Sequence, residues 1–279
     1  MNDRRGVRPC QPRGFTLIEL VVVLIILGIL AVLTIDIILK PFRAFQDQAR
    51  RAQLVAEADS AMTRMVRELR HALPNSVRVG AGGQYLEFIP TIDGGRYRAA
   101  QDPSTATSED ILDFTQADSS FEVVGGLQSG EAKAGDFVVI YNTSASGTGA
   151  SDAYKGDNRA SIASVGSVIT LSAAKKFPHP SLEAQRFDVV PATGPVSFYC
   201  QGGALRRYTD ATDYGFAVSQ PTGFTTQGAL LADHVTTCQF TYTPGDNVRS
   251  GVVTMRLGLT DAEGESIALL YQAHVVNAP

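Results

Sequence analysis

One acidic side chain, Glu19, lies almost alone in a long apolar run near the start of the chain. Between Phe15 and Leu39 only Glu19 and Asp36 are ionisable. A carboxylate inside a lipid bilayer costs about 2.5–3.5 kcal/mol on insertion scales, and a partner cation removes that cost. The position of Glu19 therefore favours contact with a cation over free diffusion in the membrane.

The residue before this run, Gly14, is suited to proteolytic cleavage. A secretory signal peptide is cut after its apolar stretch, whereas the plausible cut here lies before the stretch. Glycine has no side chain to keep the catalytic groups of a peptidase from the scissile bond. Cleavage after Gly14 would make Phe15 the first residue and keep the apolar run. The charged residues of the leader are Asp3, Arg4, Arg5, Arg8 and Arg13.

The apolar run from Phe15 to Leu39 must position Glu19. Its 25 residues form a helix of about 37 Å at 1.5 Å per residue, enough to cross the hydrocarbon core with some tilt. The arginines of the leader favour a cytoplasmic N-terminus, although basic residues also follow the run. The run predicts a membrane-spanning helix.

The stretch Arg13–Leu20, with the sequence Arg-Gly-Phe-Thr-Leu-Ile-Glu-Leu, resembles the cleavage motif of type IV pilins and type II secretion pseudopilins. The resemblance implies that a prepilin peptidase cuts after Gly14 and that the amine of Phe15 is methylated. It also implies that Glu19 pairs with the terminal amine of a neighbouring subunit. The alternative is a simple signal anchor with an incidental glutamate.

Further segments resemble a minor pilin of the mannose-sensitive haemagglutinin (MSHA) pilus, and more remotely the J-type minor pseudopilins and W-type minor pilins. The resemblance implies a low-copy subunit that helps to initiate a filament and lies at or near its tip. The implied partners are other minor pilins, the major pilin, a prepilin peptidase and methyltransferase, and an inner-membrane assembly platform. The resembling segments include residues 41–45, 49–52, 67–76, 94–98, 205–208, 229–235, 249–251 and 272–279.

Cysteine usage agrees with an exported domain. Cys10 leaves with the leader, so the mature chain keeps Cys200 and Cys238. An even pair is compatible with a disulfide in an oxidising periplasm, and the alternative is two reduced core cysteines. Removing the leader moves the formal net charge from −4 to −7, which argues against nucleic acid as a partner.

The predicted organisation is a leader at 1–14, a membrane helix at 15–40, an amphipathic helix at 41–74 and a periplasmic β domain at 75–279. Pro41 should kink or loosen the helix, and Pro74 should end it. Polar residues on the opposite face, such as Arg67 and Glu68, are interpreted as solvated or filament-facing. The apolar stripe that should pack against the domain consists of Val55, Ala58, Met62, Met65, Val66, Leu69 and Leu73.

Beyond Asn75, short β-rich runs separated by turn residues predict antiparallel sheet, and the fold class is therefore α+β. Hairpin turns are expected at Gly202-Gly203 and at Asp261–Glu265, and these hairpins should bring both cysteines into one sheet region. The predicted strands are Tyr85–Ile89, Asp136–Tyr141, Val168–Leu171, Val196–Tyr199, Thr237–Tyr242, Gly251–Leu259 and Ser266–Val275.

The polar stretch Thr143–Asn158 predicts a mobile surface loop. Asp152, Asp157 and Asn158 could supply oxygen ligands to calcium, but they lack the alternation of an EF-hand loop. A tip adhesin would use this loop and an exposed aromatic such as Tyr154.

Catalytic and metal-binding motifs are not apparent in the sequence. The four histidines, at positions 71, 179, 234 and 274, are dispersed, and no cysteine has zinc-ligand spacing. We therefore expect neither an enzyme nor a cofactor or metal. The alternatives are a type II secretion pseudopilin, a tip adhesin and an anchored periplasmic enzyme.

Overall fold

The computed structural model describes residues 14–104, 109–181, 184–209, 212, 215–245 and 249–277. The leader predicted at 1–14 lies outside the described residues except for Gly14. The chain divides into two compact units, Met1–Ala52 and Gln53–Pro279.

One helix, α1, extends from Leu17 to Leu69 and contains Pro41 in its interior. It ends five residues before Pro74, the predicted end of the amphipathic helix. The last turn tightens, because the amides of His71 and Ala72 donate to carbonyls three residues back. The Leu73 amide then donates to the Ile89 carbonyl at 2.7 Å. The backbone therefore leaves α1 and pairs with Ile89 and Pro90 before it reaches Pro74.

The apolar stripe on the second half of α1 is largely confirmed. Val55 is exposed and Val66 is half-buried, whereas Leu54 and Ala61 belong to the buried face and were not predicted. Helical periodicity explains the pattern, because residues three and four apart lie on one face. The buried residues of the stripe are Leu54, Ala58, Ala61, Met62, Met65 and Leu69.

Two antiparallel sheets share the main hydrophobic core with this face of α1. One has five strands in the order β1-β2-β9-β10-β11, and the other has three in the order β12-β13-β14. The bounds are β1 Arg78–Gly80, β2 Tyr85–Phe88, β9 Val196–Gln201, β10 Ala204–Tyr208, β11 Ala229–Ala232, β12 Val235–Thr243, β13 Gly251–Thr260 and β14 Ser266–Val275.

A closed six-stranded barrel, in the order β3-β4-β7-β6-β5-β8, lies between β2 and β9 in the sequence. Its neighbouring strands are antiparallel, and it encloses a second core that includes Phe121, Phe177 and Phe187. The bounds are β3 Asp93–Tyr97, β4 Asp118–Val124, β5 Phe137–Val139, β6 Arg159–Ser164, β7 Val168–Lys175 and β8 Arg186–Val190.

The architecture confirms the predicted α+β class with an N-terminal apolar helix. Every predicted strand has a counterpart, and the bounds of Ser266–Val275 agree fully. Both predicted hairpins are present: Gly202 and Gly203 connect β9 to β10, and Asp261–Glu265 connects β13 to β14. The strands β1, β3, β4, β6, β8 and β11, and therefore the barrel, were not predicted.

Candidate functional site

The predicted scissile junction, Gly14–Phe15, is accessible. Both residues precede the first helical residue, Leu17, and neither belongs to regular secondary structure. The Phe15 side chain is 81% exposed, and nothing lies within 4 Å of the position that a Cβ on Gly14 would take. A peptidase can therefore approach this bond without unfolding a helix.

Thr16 caps the start of α1, and Glu19 occupies the third helical position. The Glu19 amide lies 3.1 Å from the Thr16 carbonyl oxygen and 3.3 Å from its Oγ1. A threonine followed three residues later by a glutamate has the spacing of a capping box, and a carboxylate in the first turn interacts favourably with the helix dipole. Thr16 was not predicted as a cap, although the spacing of Thr16 and Glu19 is visible in the sequence.

The apolar half of α1 is not covered by any of the described residues. The segment Leu17–Thr34 has a mean hydropathy of 3.0, and none of it is buried. Within the described residues it is the one helix long and apolar enough to cross a membrane. A surface of this kind in water would be very unfavourable, so lipid or other apolar helices must cover it. Together with the N-terminal motif, this helix indicates membrane anchoring.

Cys200 and Cys238 form a disulfide, with their sulfur atoms 2.01 Å apart. The pairing agrees with the prediction, but the expectation of one shared sheet region is wrong. Cys200 lies on β9 of the five-stranded sheet, and Cys238 lies on β12 of the three-stranded sheet. The bond therefore connects two sheets whose strands do not pair with each other.

Tyr154 is 1% exposed, so the prediction that it is a surface contact is wrong. Its hydroxyl donates to the Ser76 carbonyl at 2.9 Å. The Arg78 guanidinium carbon lies 3.7 Å from the ring centroid, and Arg78 also pairs with Glu87 at 2.6 Å. Burial raises the pKa of Glu87, although Arg78 opposes that effect. These contacts fix Tyr154 to the domain, because its ring and its hydroxyl are both occupied.

The three candidate calcium ligands form internal hydrogen bonds instead of an open site. The two carboxylate oxygens of Asp152 accept from the amides of Gly147 at 2.6 Å and Tyr154 at 2.9 Å. Asp157 accepts from the Asp152 amide at 2.8 Å, and the Asn158 amide group donates to Asn142. Across the described residues, no group of three or more histidine, cysteine or acidic side chains could hold a metal ion.

Glu68 was interpreted as a solvated or filament-facing residue, but it contacts the sheet domain. Its carboxylate pairs with Arg207 of β10 at 2.8 Å and with Arg64 at 3.0 Å. Arg64, Arg67 and Arg70 are exposed, as predicted. The end of α1 is therefore attached to β10 by charge as well as by its apolar face.

Comparison with known proteins identifies the N-terminal motif. The family model described as "Prokaryotic N-terminal methylation motif" matches residues 11–35. No curated protein and no solved structure matches the chain. The motif supports a type IV pilin-like or pseudopilin-like protein, and it implies processing by a prepilin peptidase and membership of a pilus system.

Proposed function

We propose that this chain is a minor pilin-like subunit that helps to initiate an MSHA-type type IV pilus and lies at or near its tip. One observation carries the proposal: an accessible Gly14–Phe15 junction directly precedes an exposed apolar helix with Glu19 in its first turn. Cleavage at that junction creates a free amine on Phe15, four residues before Glu19 in the same segment. Each copy then carries both partners of an intermolecular charge pair.

The docking step follows from the cost of an isolated carboxylate in the membrane. A carboxylate at the centre of a membrane helix is penalised by about 2.5–3.5 kcal/mol on insertion scales, and Glu19, in the first turn of α1, bears part of that penalty. The amine of Phe15 on a neighbouring subunit removes the penalty, while the uncovered apolar surface of Leu17–Thr34 packs against neighbouring helices. Docking thus combines charge pairing with helix packing.

The domain beyond the membrane helix belongs in the periplasm. The disulfide between Cys200 and Cys238 supports an oxidising compartment. The leader arginines support a cytoplasmic N-terminus before cleavage. The subunit is then a single-pass inner-membrane protein until a filament incorporates it.

The finer assignment rests on the resemblance of scattered segments to the MSHA minor pilin MshO. By that resemblance, the partners are other minor pilins, the major pilin, the prepilin peptidase and methyltransferase, and the inner-membrane assembly platform. The subunit acts mechanically, as a component of the assembly. It hydrolyses no substrate, needs no cofactor and binds no nucleic acid.

Glu19→Gln tests the docking role separately from the capping role. Glutamine retains the capping-box chemistry but has no charge, so the variant should keep α1 intact, be cleaved and remain in the membrane. We expect fewer surface filaments and weaker crosslinks to other pilin-like subunits. Glu19→Asp, which keeps the charge, is the matched control and should lose less. Normal filament numbers and normal crosslinks in Glu19→Gln would remove Glu19 from the mechanism.

A further inference from the structure

A cleft with a volume of about 370 Å³ lies between the turn that follows α1 and the barrel. Its walls come from that turn, from β3 and β8, from the loop after β4 and from the residues just beyond β14. The volume is within the range of small-molecule sites. None of its lining residues belongs to the N-terminal motif or to the segment around Tyr154, so the cleft has no role in the functions considered above.

Several polar side chains reach the cleft without a partner. Asp188 on β8 is half-buried, and burial raises the pKa of its carboxyl to about 6, although Arg186 opposes the shift. A partly desolvated carboxyl that accepts no hydrogen bond is unfavourable. The lining side chains that form no hydrogen bond to any described residue include Gln128, Tyr141, Arg186 and Asp188.

The wall formed by the loop after β4 is fixed in place. The Gln128 amide donates to the Gly94 carbonyl at 3.0 Å, and Ser129 Oγ donates to the Ile92 carbonyl at 2.9 Å. A Cβ on Gly94 would lie 3.7 Å from Asp188 Oδ1 and 3.8 Å from Gln128 Oε1. Glycine therefore leaves open the space that these two oxygens approach, and the cleft exists before any ligand arrives.

Tyr141 is held in an uncommon backbone conformation at this cleft. It lies two residues after β5 and has a φ of 53°, which residues other than glycine rarely adopt. Its ring contacts the ring of His179 edge-on, with the centroids 6.4 Å apart. Backbone strain of this kind is concentrated at functional sites. The strain and the unpartnered hydroxyl both indicate that Tyr141 serves a ligand.

The charges of the cleft favour a neutral ligand over an ion. An anion would meet the Asp188 carboxylate, and a cation would meet the Arg186 guanidinium. The carboxylate of Asp93 is already neutralised locally, since it accepts from three backbone amides at 2.8–3.2 Å. The remaining groups offer both donors and acceptors to a molecule that carries both.

We propose that this cleft binds a neutral saccharide. Adjacent hydroxyl groups of a sugar can both donate and accept, as the carboxyl of Asp188, the guanidinium of Arg186 and the amide of Gln128 require. The apolar part of the lining, which includes Ala72, Ile92 and Val276, suits the C–H face of a sugar ring. This binding goes beyond pilus assembly and does not depend on Glu19.

A glycan-binding assay with the full mature chain tests the ligand class. The protein is kept in a detergent without a sugar headgroup, because a maltoside would compete for the site. The probes are immobilised neutral oligosaccharides, with sialylated and sulfated ones for comparison. We expect retention on a neutral oligosaccharide and much weaker retention on the charged ones. Retention on no neutral probe, or equal retention on neutral and charged probes, would overturn the proposal.

Variants of two lining residues test whether the cleft is the place of binding. Gln128→Ala should weaken the affinity for the retained oligosaccharide about tenfold, because exposed amide hydrogen bonds are lost. Gln53→Ala, at an exposed glutamine of α1, is the matched control and should bind like the parent. Asp188→Asn should also weaken binding about tenfold, because it removes a charged acceptor.

Thermal unfolding of the same variants separates binding from folding. Asp188→Asn should be at least as stable as the parent above pH 6, because it removes a buried charge. Its weaker binding would then not come from unfolding. Affinities like that of the parent in both Gln128→Ala and Asp188→Asn would place the saccharide elsewhere and overturn the proposal.

Discussion

Cys200 and Cys238 connect the five-stranded and three-stranded sheets of the domain, with their Cα atoms 6.3 Å apart. The two sheets also meet through side chains that both contribute to the core beneath α1, and the Val235 amide of β12 donates to the Gly203 carbonyl of the β9–β10 hairpin at 2.8 Å. The disulfide is thus a second covalent connection between the two halves of the surface on which α1 packs, in addition to the backbone that joins β11 to β12.

Replacing both cysteines by serine should lower the free energy of unfolding by about 2–4 kcal/mol, because the bridge restricts the unfolded chain over a sequence separation of 38 residues. Denaturant titration of the variant and the parent measures the difference. Thiol labelling of the unfolded, unreduced mature protein should find no free cysteine. Two labelled thiols per chain would show that the bridge is absent.

Tyr154→Phe should reduce stability by about 1 kcal/mol, because it removes the hydrogen bond from the hydroxyl to the Ser76 carbonyl. Tyr154→Ala should cost about 3–5 kcal/mol, as expected for a buried aromatic ring. Thermal unfolding measures both changes. If Tyr154→Phe or Tyr154→Ala reduced attachment to a surface without reducing stability, Tyr154 would be a contact residue, as the adhesin alternative predicted.

Glu68→Gln should destabilise the domain by about 0.5–1 kcal/mol, because the Arg207 pair is partly exposed and solvent screens it. A double-mutant cycle with Arg207→Gln isolates the pair energy. Arg67→Gln, on the exposed face of the same helix, is the control and should be neutral. A coupling energy of zero would mean that the pair does not hold α1 to β10.

Asp188 on β8 should make stability depend on pH. Burial raises its pKa from 3.8 to about 6, with Arg186 opposing the shift. The folded state therefore holds a proton more tightly than the unfolded state, and stability should fall as pH rises from about 4 to 6. Asp188→Asn should remove a cost of at most about 3 kcal/mol above pH 6 and have little effect below pH 4.

Denaturant titrations at several pH values measure this dependence. Glu131→Gln, at an exposed carboxylate, is the control and should show no such profile. A gain from Asp188→Asn that is equal at low and high pH would mean that ionisation of Asp188 is not the cause.

The sequence predicts the elements whose pattern is local. The stripe on α1 follows from the helical period, in which residues three and four apart lie on one face. The strands β12 to β14 follow from the strand period of two, in which residues alternate between core and solvent. Four of the six barrel strands, β3, β4, β6 and β8, could not be predicted in this way. In β3, Gly95 stands where a Cβ would lie 2.8 Å from the Phe187 ring. That constraint comes from β8, about 90 residues further along the chain. A glycine at this position also interrupts the alternation of apolar and polar residues by which a strand is recognised in a sequence.

The candidate site shows the same division between local and distant information. Gly14, Phe15 and Glu19 could be assigned because their motif is contiguous in the sequence. Tyr154 could not, because the polar composition around it indicates a surface loop. In the structure, Asp152 and Asp157 bond to backbone amides and draw the segment inward. The sequence cannot show that these carboxylates bond to the chain itself.

The N-terminus of the mature protein tests the central claim most directly. Mass spectrometry of the membrane-extracted wild-type protein should find a chain that begins at Phe15 with a methylated amine. Gly14→Val should leave the uncut precursor, because a branched side chain obstructs the scissile bond, whereas Gly6→Val in the leader should be cut normally. A wild-type chain that begins at Met1, or at any residue other than Phe15, would contradict the assignment as a pilin-like subunit.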